Sequence, residues 1–118
     1  MIEYNPITPD VLEALREISG KRVITGEDIN PDYTHDDMPI YGLGMPEATI
    51  DVESTEEIAA IMKLCNEHHI PVTVRGAGTG LAGGATPVQR GLVLCTSRMN
   101  QILGYDEKYM NVRVQPGV

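Results

Sequence analysis

This sequence contains neither phenylalanine nor tryptophan. Packing of any interior therefore falls to Ile, Leu, Val, Met and five Tyr, and a core of that kind is expected to be incomplete without further chain. Positive charge is scarce as well: nine Lys and Arg stand against seventeen Asp and Glu, a net charge of −8. Nucleic-acid binding needs a basic stripe, and a chain this acidic does not supply one. No apolar run approaches the length that crosses a bilayer. Met1-Ile2-Glu3-Tyr4-Asn5-Pro6 has no basic start and no apolar stretch, so it is not a secretory signal. The expected location is the cytoplasm, with peripheral attachment to the inner face of a membrane left open. Two cysteines, Cys65 and Cys95, show no metal or redox spacing. Each sits among apolar residues and reads as a buried free thiol, which fits a reducing compartment.

A chain of 118 residues has room for one domain of ordinary size or for part of a larger one. The local signals alternate between helix and strand. Thr8-Pro9-Asp10 gives a hydroxyl N-cap, a proline in the first turn and an acid at the positive end of the dipole. Val11, Leu12, Leu15 and Ile18 then share one face, and Ser19-Gly20 ends the helix. Lys21–Gly26 reads as a short extended piece. Glu27–Gly44 carries turn residues and an acidic cluster around His35, and reads as a solvated loop rather than a metal site, because no second ligand cluster has a defined spacing.

From Pro46 the pattern sharpens. Ala48–Val52 predicts a strand, and Ser54-Thr55-Glu56-Glu57 spells a capping box. Ile58, Ile61, Met62 and Cys65 follow on one helical face, and His68-His69 falls in the last turn. Val72-Thr73-Val74 completes a parallel strand–helix–strand unit. Leu92–Cys95 predicts a buried strand, Gly104–Glu107 a turn, and Met110–Gln115 a last alternating strand.

The densest signal is Arg75-Gly76-Ala77-Gly78-Thr79-Gly80-Leu81-Ala82-Gly83-Gly84, in which five of ten residues are glycine. Exposed backbone N–H groups in such a loop make a concave donor surface for phosphate oxygens. Arg75 at its mouth adds a fixed positive charge that can pair with a phosphate. Gly78-x-Gly80-x-x-Gly83 spells the dinucleotide fingerprint, but that fingerprint opens a helix, and Gly83-Gly84-Ala85-Thr86-Pro87 disfavours one. The Gly-Lys-Ser/Thr of a Walker loop is missing. What remains is a strand–loop–strand device whose backbone amides hold a pyrophosphate.

Pro71 through Gly84 resembles the pyrophosphate loop of FAD-binding proteins of the vanillyl-alcohol oxidase/p-cresol methylhydroxylase (PCMH) type. Within that family the chain is most similar to the branch of glycolate oxidase FAD subunits and FAD-linked D-lactate dehydrogenases. Tyr33-Thr34-His35-Asp36, Ser54–Ile58, Ser97–Ile102 and Val114-Gln115-Pro116-Gly117-Val118 support the resemblance, in family order and spacing.

The resemblance implies an α+β fold. A helical, irregular arm over residues 1–40 precedes the βαβ-containing first half of a PCMH-type FAD-binding domain over residues 41–118. It implies that Arg75, Gly76, Ala77, Gly78, Thr79 and Gly80 contact the FAD pyrophosphate and the adjoining ribityl chain. Gly83 and Gly84 let the loop close. Some members carry a flavin-linking histidine where this chain has Thr79, so the departure implies non-covalent FAD. Members are several times longer, with their catalytic residues in a later substrate domain. The chain thus reads as the N-terminal part of an enzyme that oxidises a small 2-hydroxy acid and passes electrons to an electron-transfer subunit or quinone. No residue here is assigned a catalytic role.

Two other readings stay open. A non-catalytic nucleotide- or protein-binding domain would expose an edge strand near Val112-Arg113-Val114 and invite a homodimer by strand pairing. A nicotinamide-dependent dehydrogenase would need a long helix across Gly84 to Pro87.

Overall fold

The computed structural model describes residues 3–118. Helix α1 runs Pro9–Ser19, with the Thr8 hydroxyl accepting the Val11 N–H at 3.3 Å. Strand β1 (Val23–Thr25) follows, then short 3-10 turns up to Tyr41. Strand β2 is Ala48–Asp51, helix α2 Thr55–Glu67 and strand β3 Val72–Arg75. Strand β4 is Leu92–Cys95, and β5 (Ile102–Asp106) and β6 (Asn111–Val114) form a separate antiparallel hairpin.

Four strands make the main sheet, in the order β1-β2-β4-β3. β2, β4 and β3 are parallel, and β1 is antiparallel to β2. The predicted strand–helix–strand unit is present, but β2 and β3 are not neighbours, because β4 lies between them. The reason is burial. All four residues of β4 are covered, whereas Val74 of β3 is 57% exposed at the edge.

Val11 and Leu15 of α1 and Ile61 and Cys65 of α2 pack with Ile50, Leu92 and Leu94 of the sheet in one buried cluster. Strand side chains alternate in direction, so Val93 and Cys95 turn to the opposite face. There the irregular segment supplies Tyr33, whose hydroxyl lies 3.6 Å from Cys95 Sγ. The cluster on the helix side is thus built from Ile, Leu, Val, Ala, Cys and Met without a large ring. Both cysteines are buried free thiols, and burial pushes Cys65 up to about 11.

The capping box differs from its predicted form. Ser54 Oγ accepts the Glu57 N–H at 3.2 Å, but Glu57 reaches past Ser54 to the Glu53 N–H at 3.0 Å. Its other oxygen accepts from Ser19 Oγ and Arg22 Nη1, each at 2.5 Å. Arg22 Nη1 also donates to the Asp51 carbonyl, so one ionic knot ties α1, the 3-10 turn before β1, β2 and α2 together. Met62, placed by its spacing on the same helical face as Ile61 and Cys65, is 42% exposed. The expected turn at Gly104–Glu107 lies too early: Gly104–Asp106 belongs to β5, and the chain reverses over Glu107–Met110. Tyr109 N–H on Asp106 Oδ1 and a left-handed Met110 make that reversal. His68 and His69 fall just past the end of α2 rather than in its last turn.

Candidate functional site at the glycine loop

Arg75, Cys95 and Asp51 stand side by side where the three parallel strands end, since Cys95 pairs in register with both. Ligands of open parallel sheets gather beyond this edge. The chain leaves β3 there into Gly76 and crosses to its neighbour β4. Residues 81–90 of that crossover are bends and turns. The long helix that a nicotinamide-type fingerprint needs is therefore replaced by irregular backbone.

The loop presents main chain to solvent. Gly76, Ala77, Thr79, Gly80 and Gly84 are exposed, and Gly78 and Gly83 are half-buried. A Cβ built on Gly76 would have only Thr96 Oγ1 near it, at 4.0 Å, and one on Gly84 would meet nothing. Their open faces suit a ligand lying on the backbone. Gly78 is different: its φ is +76°, and an added Cβ would collide with the Arg75 guanidinium. Gly83 is held by packing, because its Cβ would come within 2.6 Å of the Tyr41 ring.

Arg75 does not stand at the mouth of the loop. It is 6% exposed and lies beneath Gly78, with Nη1 donating to the His35 carbonyl at 2.7 Å. Its guanidinium stacks on the Tyr33 ring, 5.0 Å from the centroid. Arg90, the second arginine flanking the loop, turns away to the Met45 carbonyl. Burial, together with the Cys95 contact, raises the Tyr33 hydroxyl well above its ordinary value; Arg75 opposes this only in part. The phenol therefore remains protonated.

The segment from Tyr33 to Tyr41 is the part of the site that sequence reasoning missed. Asp37 N–H donates to the Gly80 carbonyl at 3.2 Å. Asp36 is 3% exposed; its Oδ1 accepts the Met38 N–H, and its Oδ2 is buried without a partner, 3.9 Å from where a Gly80 Cβ would stand. Locally these residues spell a polar loop, and only the family pattern Tyr33-Thr34-His35-Asp36 pointed to them.

On the far side, the Gly117 N–H donates to the Met99 carbonyl, and a Cβ on Gly117 would strike the Thr96 carbonyl. Two further family stretches, around Ser97–Met99 and Gln115–Val118, thus meet beside the loop.

Residues 46–118 match the family model described as FAD binding domain. The chain belongs to this FAD-binding domain family. The D-lactate dehydrogenase of Anaerostipes hadrus is 50% identical over 116 residues, which is 98% of this chain and 24% of that protein. Glycolate oxidase subunit GlcD of Bacillus subtilis is 44% identical over 115 residues, 95% of this chain and 24% of that protein. The chain thus spans about a quarter of the length of the curated relatives it matches. A p-cresol methylhydroxylase structure superposes with a TM-score of 0.77 at 30% identity, over 92% of this chain and 22% of that one. An alkyldihydroxyacetonephosphate synthase, 20% identical, shares the fold with a TM-score of 0.78 over 99% of this chain and 24% of that one. The FAD-binding domain fits what the loop offers: open glycine backbone at the C-terminal edge of a parallel sheet. Among the described residues no helix is long and apolar enough to cross a membrane.

Proposed function

We propose that this segment holds the diphosphate of FAD in an oxidoreductase that oxidises a small 2-hydroxy acid of the glycolate or D-lactate type. The observation that carries the reading is the exposed glycine loop joining adjacent parallel strands without a helix. In this reading the N–H groups of Gly76, Ala77, Gly78, Thr79 and Gly80 face the diphosphate and the adjoining ribityl chain. Gly83 and Gly84 let the loop close, and Arg75 works from beneath. Residues 41–118 carry these contacts, and residues 1–40 brace them. Thr79 offers no imidazole for a flavin linkage, so the cofactor is held without a covalent bond.

When bound, FAD would supply the two-electron oxidising chemistry by which the alcohol of a 2-hydroxy acid becomes a 2-oxo acid. This chain's own part is to anchor and orient the diphosphate. Electrons then pass to an electron-transfer subunit or a quinone, and the enzyme works in the cytoplasm or against the inner face of a membrane. The test is anaerobic addition of glycolate or D-lactate to the purified native protein. Bleaching of its flavin absorbance is the expected result, and a flavin that stays oxidised with every small 2-hydroxy acid counts against the substrate class.

The β5–β6 hairpin favours a further contact. Ile102, Tyr105, Met110 and Val112 are all exposed, Met110 to 92%. A surface of this kind is more often an interface than bare, and homodimerisation through the open edge of β6 is the form we propose. Sedimentation of the native protein at rising concentration, with Val112→Lys as control, tests it.

A further inference from the structure

Two buried charges lie under the glycine loop at different points along it. The Arg75 guanidinium occupies the space beneath Gly78, and the Asp36 carboxylate lies against Gly80. Among the described residues they form no ion pair with each other or with any other group. Arg75 is satisfied by a carbonyl and a ring face, neither of which carries a full negative charge. Asp36 keeps one oxygen buried and unpartnered. A buried charge without a counterion projects its field further than one at the surface, because little solvent screens it.

We propose that Arg75 and Asp36 polarise the loop from beneath and so set where along it the diphosphate sits. The cation draws the phosphates to the Gly76–Gly78 half. The carboxylate repels anionic oxygens from Gly80 and leaves that half to the neutral, hydroxyl-bearing part of the cofactor. Both are positioning residues: neither needs to touch the ligand, and each acts through the loop that covers it. Two backbone tethers keep the charges in register with the loop, Asp37 N–H to the Gly80 carbonyl and Arg75 Nη1 to the His35 carbonyl.

The inference rests on the FAD reading above, and the sign of each effect separates it from a purely architectural role. The experiment measures competition by ADP, with adenosine as the uncharged control, against FAD rebinding to the apo form of the intact native protein. Arg75→Met is expected to weaken ADP by about tenfold and Arg75→Lys by much less, because lysine keeps the charge. Asp36→Asn is expected to tighten ADP by about threefold, with adenosine unchanged in every case. Asp36→Ser is the second variant at that position, and circular dichroism confirms that each apo protein is folded. Tightening by either folded Asp36 variant, together with weakening by Arg75→Met, supports the proposal. Unchanged or weaker ADP binding in the folded Asp36 variants overturns it, as does ADP binding that Arg75→Met leaves alone. Collapse of both Asp36 variants assigns the carboxylate to architecture and also overturns it. If the wild-type apo protein binds neither FAD nor ADP, the FAD reading itself fails and this proposal falls with it.

Discussion

Arg75 Nη1 donates a 2.7 Å hydrogen bond to the carbonyl of His35, forty residues earlier in the chain. That bond turns the only arginine within the glycine run inward. The loop above is left presenting backbone to solvent. Gly78, with no side chain, leaves the guanidinium its place beneath the loop.

Gly78 is accordingly a position where a side chain is poorly tolerated. Gly78→Val adds a branched side chain at φ +76° and against the Arg75 guanidinium. The local cost is about 1–3 kcal/mol of backbone strain, and the side chain displaces either Arg75 or the loop. The purified variant is expected to lose most of its flavin while keeping its far-ultraviolet dichroism. Recovering it yellow, with full flavin occupancy, would defeat the assignment of this loop to the cofactor.

Thr79 makes a prediction about cofactor removal. Acid precipitation of the native protein is expected to release all of the flavin into the supernatant as intact FAD. Flavin that stays with the pellet and migrates with the polypeptide in a denaturing gel would show a covalent link and refute the non-covalent reading.

The Glu57 knot gives the fold a pH dependence. Burial alone would raise this carboxyl, but bonds from Ser19, the Glu53 N–H and Arg22 outweigh it and hold Glu57 below its ordinary value. A folded-state value below the unfolded one means that the stabilisation is complete above the unfolded value. It is lost as pH falls through the folded one. Glu57→Gln is therefore expected to lower the melting temperature at neutral pH and to matter progressively less under acid. Glu57→Ala should cost about 2–3 kcal/mol, discounted from the fully buried case because Arg22 keeps some exposure. Urea titrations from neutral to acid pH measure both; a Glu57→Gln deficit that does not shrink under acid would contradict the assignment.

Ile61 is 0% exposed, in the cluster where α2 meets α1 and the sheet. Ile61→Ala removes apolar contact and leaves a cavity, at an expected cost of about 2–5 kcal/mol. Since this core lies away from the glycine loop, FAD affinity measured well below the melting point should change little. A large loss of affinity in a folded variant would mean that the core and the loop are coupled.

The features readable from sequence are those that a few consecutive residues settle. Thr8-Pro9-Asp10 and Ser54–Glu57 place both helix starts, because a cap is chosen by neighbours within one turn. Leu92–Cys95 declares a strand covered on both faces, and all four residues are buried. The β5–β6 reversal was placed too early because Gly104 attracts a turn reading, whereas the pairing of Tyr105 with Val112 continues the strand past it. Glu57 was legible as a cap but not as the centre of a knot, since Ser19 and Arg22 lie far back in the chain.

The sequence by itself determined the loop: a glycine run behind a β-branched strand, with a helix disfavoured beyond Gly83, in a pattern shared with FAD-binding relatives. These are properties of backbone conformation, which each short stretch sets for itself. Tertiary structure alone decided that β4 would part β2 from β3, that Arg75 would turn down rather than out, and that Asp36 would be sealed under Gly80. Where a charge ends up depends on what the rest of the chain places around it. Here the deciding groups, the His35 carbonyl and the Tyr33 ring, come from a segment whose own residues specify only a turn.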